Sequence, residues 1–326
     1  MSINRRTVIA SVVAPAFAQA QTYPSQPVRL VVPFAAGGPT DAVARQFALG
    51  MQRELKQSVV VDNKPGAQGV IGTTYVKDAP ADGYTLLFNE LTATFAIQPA
   101  MVRKPPYNGQ TDFAPISAVA TGPVFLYVRT SLSASNLRQL IALSRTSKVG
   151  LNYGSSGGMG QMPSHVGPEL LKLKYGLNSV NIVYKGSGPA MVDLAGGSVD
   201  FLMSTAATAL PFIQSGKVRA IAVSGTTRPA NSEVPTFAEQ GYPMPEIDNG
   251  AVWGLLGPAK LNVNVVTTLS NAAARVLDSS EMKQALVAQT LFPAKPTGPQ
   301  ALRTLMQNDA RVWPAIIKRM GIATTE

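Results

Sequence analysis

Apolar residues along this chain follow two rhythms. Val28 to Pro33 (VRLVVP) is a continuous apolar run, as expected of a strand buried on both faces. After Ala35-Ala36-Gly37-Gly38 and Pro39, the residues Val43, Phe47, Met51 and Leu55 recur every fourth position, which predicts an amphipathic helix. Val59-Val60-Val61 predicts the next strand, NKPGAQG (63–69) a turn, residues 70–79 a helix, and Tyr84 to Phe88 a third strand. This β-α-β-α-β order predicts a parallel sheet with helices on both faces.

A second set begins near residue 119. Strands are expected at Val124–Val128, Val149–Tyr153, Val180–Tyr184, Val199–Met203 and Val218–Val223, with helices at Asn136–Arg145 and around Ala190–Leu194. Thr226 to Pro245 is Pro-rich and irregular, an apolar strand restarts at Trp253 to Leu256, and helices at about 263–277, 279–288 and 298–319 close the chain. The reading is an α/β protein of two domains: residues 21–122 with 250–326, and residues 123–249. The crossovers fall near 120–124 and 249–253.

Residues 1–20 read as an export signal. Arg5-Arg6 precede a short apolar stretch from Thr7 to Val13, and Ala16-Phe17-Ala18 and Ala18-Gln19-Ala20 both have the small-x-small form of a cleavage site. The run is too short for ~30 Å of hydrocarbon. Asn4-Arg5-Arg6-Thr7-Val8-Ile9 also resembles a twin-arginine signal. Cleavage after about Ala18 or Ala20 predicts a periplasmic protein.

Composition removes whole classes of chemistry. There is no cysteine, so disulfides, thiolate metal sites and Cys nucleophiles are excluded, and His165, the one histidine, cannot make a His-rich metal site. The formal charge of +10 falls to about +8 without Arg5 and Arg6. Its basic residues are scattered and not interleaved with aromatics, so nucleic acid is not an expected partner; a mild positive field attracts small anions instead.

Three glycine-rich segments follow strands: Pro33 to Asp41, Tyr153 to His165 and Tyr184 to Pro189. In open α/β sheets ligands bind beyond the carboxyl ends of strands. Glycine lets backbone approach the ligand, and a following helix N-terminus offers N–H groups to an anion. These segments read either as an anion cradle or as plain tight turns. Enzyme readings fail on inventory. Gly154-Ser155-Ser156-Gly157-Gly158 matches G-x-S-x-G, but His165 follows only nine residues after Ser156 with no acid in the expected order. No phosphate loop, dinucleotide fingerprint or carboxylate cluster of metal type is present. No catalytic residue, metal or cofactor is expected.

Tyr23-Pro24-Ser25-Gln26-Pro27-Val28-Arg29-Leu30-Val31-Val32-Pro33-Phe34, followed by Gly37-Gly38-Pro39-Thr40-Asp41, resembles the opening of the Bug family, the extracytoplasmic solute-binding proteins of tripartite tricarboxylate transporters. The resemblance continues through Val61 to Ala67, Asp82 to Leu87, Asp112 to Ile116, Tyr184 to Ala190, Gly196 to Asp200, Val234-Pro235-Thr236 and Gly254 to Ala259. It implies a type II-like Venus-flytrap fold with a ligand cleft between two domains, a small organic carboxylate as ligand, transient contact with membrane permease subunits, and a monomer. A ligand-sensing co-receptor for a sensor kinase and an exported serine hydrolase are the alternatives.

Carried onto this chain, the resemblance places a carboxylate between Phe34, Ala35, Gly38, Thr40 and Asp41 on one side and the loop residues Ser155, Ser156 and Gly157 on the other. The far end of the ligand would meet Asn89, Glu90 and Thr92, in the loop after the Tyr84–Phe88 strand, together with Ser204 and Thr205. Read by itself, Asp41 suits the first helical turn. Three departures stand out: Phe95 replaces the family's histidine, Gln98 its asparagine, and the segment from Gly157 to His165 is about two residues longer. Glu90 either points inward, where it would repel a second carboxylate, or faces solvent.

Overall fold

The computed structural model describes residues 23–156, 164–229 and 232–321. The proposed export signal and Gly157 lie outside them.

Six strands form the first sheet: β1 (Val28–Val32), β2 (Val59–Asn63), β3 (Thr85–Glu90), β4 (Phe113–Gly122), β10 (Ala251–Pro258) and β11 (Phe292–Pro293), in the order β11-β4-β10-β3-β1-β2. Helices α1 (Pro39–Leu55) and α2 (Val70–Lys77) connect β1, β2 and β3, which run parallel. The parallel arrangement predicted for these three strands ends with them: β10 is antiparallel to both β3 and β4, and β11 is antiparallel to β4. Strand β4 has no sequence signal of its own: FAPISAVATG is rich in small residues and contains Pro115. It is held by β10 on one side and β11 on the other.

Alternation sorts each strand between two cores. Leu30, Val32, Leu86 and Phe88 pack with Phe47 and Met51 of α1 and with Leu269 and Val276 of α8 (Val263–Asp278). Val31 and Leu87 point the other way, to Val76 of α2 and to Leu302 and Met306 of α10 (Pro299–Arg319). Helix α9 (Ser280–Val287) completes the first face.

The second sheet contains β5 (Phe125–Arg129), β6 (Leu151–Ser156), β7 (Ser179–Tyr184), β8 (Phe201–Ser204) and β9 (Val218–Val223), in the order β7-β6-β8-β5-β9. Strands β6, β7 and β8 are parallel, and β5 is antiparallel to β8 and β9. Helices α4 (Leu137–Thr146) and α5 (Val166–Tyr175) cover one face, and α6 (Ser187–Gly196) the other. The short α7 (Leu210–Gln214) precedes β9. Residues 91–100 form α3, which has a π-helical stretch at Ala93–Ile97. The core of the second sheet is continuous with Ala93, Ala96 and Ile97 of α3 and with Trp313, Ile316 and Ile317 of α10, while Phe95 of α3 and Leu302 and Met306 of α10 belong to a core of the first sheet, so these two helices serve both sheets. No helix among the described residues is long and apolar enough to cross a membrane.

Candidate functional site

The chain passes between the sheets twice, from β4 to β5 and from β9 to β10. Strand register fixes which sheet edges meet there. Glu90, the last residue of β3, lies opposite Trp253 near the start of β10, and Gly122, the last of β4, opposite Ala251. In the second sheet Phe125, the first residue of β5, pairs with Val223 and with Ser204, the last residues of β9 and β8, and β6 runs parallel to β8. The carboxyl ends of the parallel strands of both sheets are therefore turned toward the crossover, where two α/β sheets can share one ligand.

The crossover is tight. Gly250 has φ of +66°, a region disfavoured for residues with a Cβ, and a Cβ there would collide with the Gly122 carbonyl. Thr121 Oγ1 donates to the Asn249 carbonyl at 2.8 Å, and Ser224 Oγ accepts from the Val124 amide at 2.9 Å.

The first-sheet loop leads into α1. Gly38 at the N-cap has no side chain to close the helix and Pro39 has no N–H, and among the described residues the N–H groups of Thr40 and Asp41 find no acceptor, as suits an anion site. Ala35 is exposed, and the half-buried Phe34 ring lies over Gly69. Thr40 is buried, and its Oγ1 accepts the Trp253 indole Nε1–H at 3.0 Å. Asp41 is engaged within the protein. It accepts from the Gly37 amide and from Arg45 Nε at 2.9 Å, and from Asn63 Nδ2 at 2.9 Å. Burial alone would raise its carboxyl, but these donors hold it below the usual carboxylate range. Asn63 also donates to the Phe34 carbonyl at 3.0 Å, so Asp41 and Asn63 brace the loop from behind.

The expected second-sheet loop differs. Ser155 and Ser156 end strand β6, where they pair with Val183 and Tyr184 of β7. That pairing is long-range and leaves no local signal. Ser155 is fully buried, and its Oγ has no hydrogen-bond partner among the described residues. A buried hydroxyl without a partner is costly and rare, which makes it a candidate ligand contact. The turn that the nucleophile-elbow reading needs after Ser156 falls on residues outside those described; the next described helix, α5, begins at Val166. Burial holds the His165 imidazole below its ordinary pKa.

The distal residues also sit differently. Asn89 and Glu90 belong to β3, which extends two residues beyond Phe88 because they pair with Gly254 and Trp253 of β10. Thr92 lies in α3. Glu90 is buried, and its carboxylate accepts from the amides of Ala93 (2.9 Å) and Thr92 (3.3 Å), capping α3. Thr92 Oγ1 donates to Asp309 Oδ2 at 2.7 Å. Desolvation and the nearby Asp309 push the Glu90 carboxyl up to about 7, against those amides and that of Val252. Asn89 is buried, with its Oδ1 accepting from the Glu90 amide. Ser204 Oγ shares a hydrogen bond with Thr208 Oγ1 at 3.1 Å. Thr205 flanks the crossover: a Cβ on Gly122 would lie 3.6 Å from both Thr205 Cγ2 and Trp253 Cζ3. Phe95 is core, in edge-on contact with Tyr107 and Phe113, and Gln98 Nε2 donates to the Gln68 carbonyl. Sequence reasoning missed Trp253 and Asn63 as site residues; both act through contacts between distant segments.

A groove of about 720 Å³, lined by Val70, Ile71, Tyr75, Pro80 and Pro106 among others, borders α2 and the amino end of β3. None of the strand-end residues above lines it. No group of three His, Asp or Glu residues that could hold a metal occurs among the described residues.

Residues 43–322 match the family model described as the tripartite tricarboxylate transporter family receptor. The chain is 34% identical over 305 residues to protein BugT of Bordetella pertussis, covering 93% of this chain and 91% of BugT. Among solved structures, Rpa4515 of R. palustris with adipate is similar at 32% identity and a TM-score of 0.82, covering 92% of this chain and 99% of that one. MatC of Rhodopseudomonas palustris with bound malate is similar at 30% identity and a TM-score of 0.80, covering 90% and 100%.

Proposed function

Because the chain belongs to the tripartite tricarboxylate transporter receptor family of periplasmic solute-binding proteins, we propose that it captures a small organic carboxylate between its two sheets and hands it to a membrane permease. One carboxylate end of the ligand takes the open amides of α1 and the Thr40 hydroxyl from the first sheet, and Ser155 from the second. Asp41 and Asn63 hold the loop rather than touch the ligand. Glu90, turned to its own helix amides, stays out of the ligand's way. Residues 1–20 direct export and are removed. The observation that carries this reading is the topology: the carboxyl end of β1, whose following loop leads to Thr40, and the end of β6, which bears Ser155, both turn toward one crossover. The malate and adipate held by two relatives support the ligand class.

A thermal-shift screen of mono-, di- and aromatic carboxylates tests it. A hundredfold excess over Kd stabilises the folded state by about 2.7 kcal/mol. Thr40→Val combined with Ser155→Ala abolishes the shift. No shift with any acid up to millimolar levels, or an undiminished shift in the double variant, rejects the reading.

A further inference from the structure

Trp253 occupies an unusual junction. It is buried, lies three residues past Gly250 with its positive φ, and stands opposite Glu90 on the strand that returns from the second sheet. One edge of its ring flanks Gly122 beside Thr205, and its Nε1–H reaches across to Thr40 Oγ1 at 3.0 Å. A threonine hydroxyl has one proton to give and two lone pairs to receive. With one lone pair occupied by the indole, the Thr40 proton is free to turn to another acceptor, and none is found among the described residues. Accepting one hydrogen bond polarises a hydroxyl and strengthens the bond it donates.

We propose that Trp253 is a positioning residue for the bound anion: its indole, fixed on the crossover strand, orients Thr40 so that the hydroxyl proton is delivered to the ligand's carboxylate. This rests on the carboxylate reading above. The chain of donors runs from Trp253 to Thr40 to the ligand, and it begins on the backbone that links the two sheets. Occupancy of the carboxylate seat is thereby tied to the strand that any closure must move. A donor that is itself hydrogen-bonded on one side discriminates in favour of an ionised acceptor, so the seat selects a carboxylate over an amide or ester of the same shape.

The protein has two tryptophans, Trp253 and Trp313, so 15N-tryptophan labelling gives two indole resonances, assigned with Trp313→Phe. In the ligand-free protein, Thr40→Val moves the Trp253 resonance to an unbonded position and Thr40→Ser leaves it in place. Adding malate or adipate shifts it in the wild type and in Thr40→Ser, and leaves Thr40→Val unmoved. Trp253→Phe, which keeps the aromatic packing, weakens binding of the same acid ~10-fold. Thermal stabilisation by either acid with an unmoved Trp253 resonance and an unchanged Kd in Trp253→Phe overturns the relay while the carboxylate reading stands. With malate and adipate replaced by whichever acid of the screen stabilises the protein if neither does, absence of stabilisation by every acid overturns that reading and the relay together. A Trp253 resonance indifferent to Thr40→Val in the ligand-free protein overturns the relay by itself.

Discussion

Asn63 Nδ2 lies 2.9 Å from Asp41 Oδ1 and, through the same amide group, 3.0 Å from the Phe34 carbonyl, tying the end of strand β2 to the loop that follows β1. The loop thus keeps its shape without a ligand. Preorganisation of this kind lowers the ordering cost of binding. Asn63→Ala removes both of these bonds and the one its Oδ1 accepts from Arg45 Nη2, and leaves Asp41 short of a donor. It is expected to cost about 1–3 kcal/mol in urea unfolding and to weaken carboxylate binding. Loss of stability with unchanged affinity would confine the bracket to folding.

Asp41 also sets an acid limb. Its carboxyl is held below the ordinary value by Arg45, Gly37 and Asn63, so the unfolded chain binds the proton more readily. The stabilisation is therefore present above the ordinary carboxylate pKa and is lost as pH falls through the folded value. In Asp41→Asn the stability at neutral pH drops, and its decline toward pH 3 flattens. An acid limb of unchanged steepness would exclude Asp41 as its source.

Glu90 has the opposite sign. Its folded pKa of about 7 lies above the ordinary 4.5, so the native state holds a proton that the unfolded state has released in that interval. Stability falls as pH rises from about 4.5 to about 7 and is level beyond. Glu90→Gln keeps an acceptor for one α3 amide and removes this slope. Melting temperatures of both proteins between pH 4.5 and 8 are the check; parallel curves would contradict the assignment.

Ser155 offers a distinction between packing and recognition. Its buried hydroxyl stabilises nothing visible among the described residues, so Ser155→Ala should leave the free protein within about 0.5 kcal/mol of wild type or make it more stable. Affinity for a carboxylate should fall about tenfold or more. A destabilised free protein would reveal an internal role for the hydroxyl.

Gly250→Ala meets two obstacles, a positive φ and the Gly122 carbonyl. Strain of this kind costs on the order of 1–3 kcal/mol, and the cost falls on the crossover. The variant should melt lower and bind more weakly; a wild-type melting temperature would show that the crossover yields easily.

Local pattern was enough for elements whose signal is local. The Val43-Phe47-Met51-Leu55 periodicity and the Val28–Pro33 run correspond to α1 and β1, and the helix expected around Ala190–Leu194 is α6, which is capped by Gly197 in the left-handed region. What escaped depends on distant partners. Strand β4 reads as a nondescript small-residue stretch because its order comes from β10 and β11. Asn89 and Glu90 read as loop because the residues that extend their strand, Gly254 and Trp253, lie more than 160 positions away. The anion-loop residues were readable through motif resemblance, whereas their supports, Asn63 and Trp253, carry no motif of their own.

Helix α10 buries Leu302 and Met306 against the first sheet's core and Trp313, Ile316 and Ile317 within the core continuous with the second, with Asp309 between them. Two sheets joined only by a pair of crossovers could melt one after the other. Here the loss of either core strips apolar cover from the other, so heat should unmake the protein in a single calorimetric peak, and clipping the chain within α10 should compromise both halves at once.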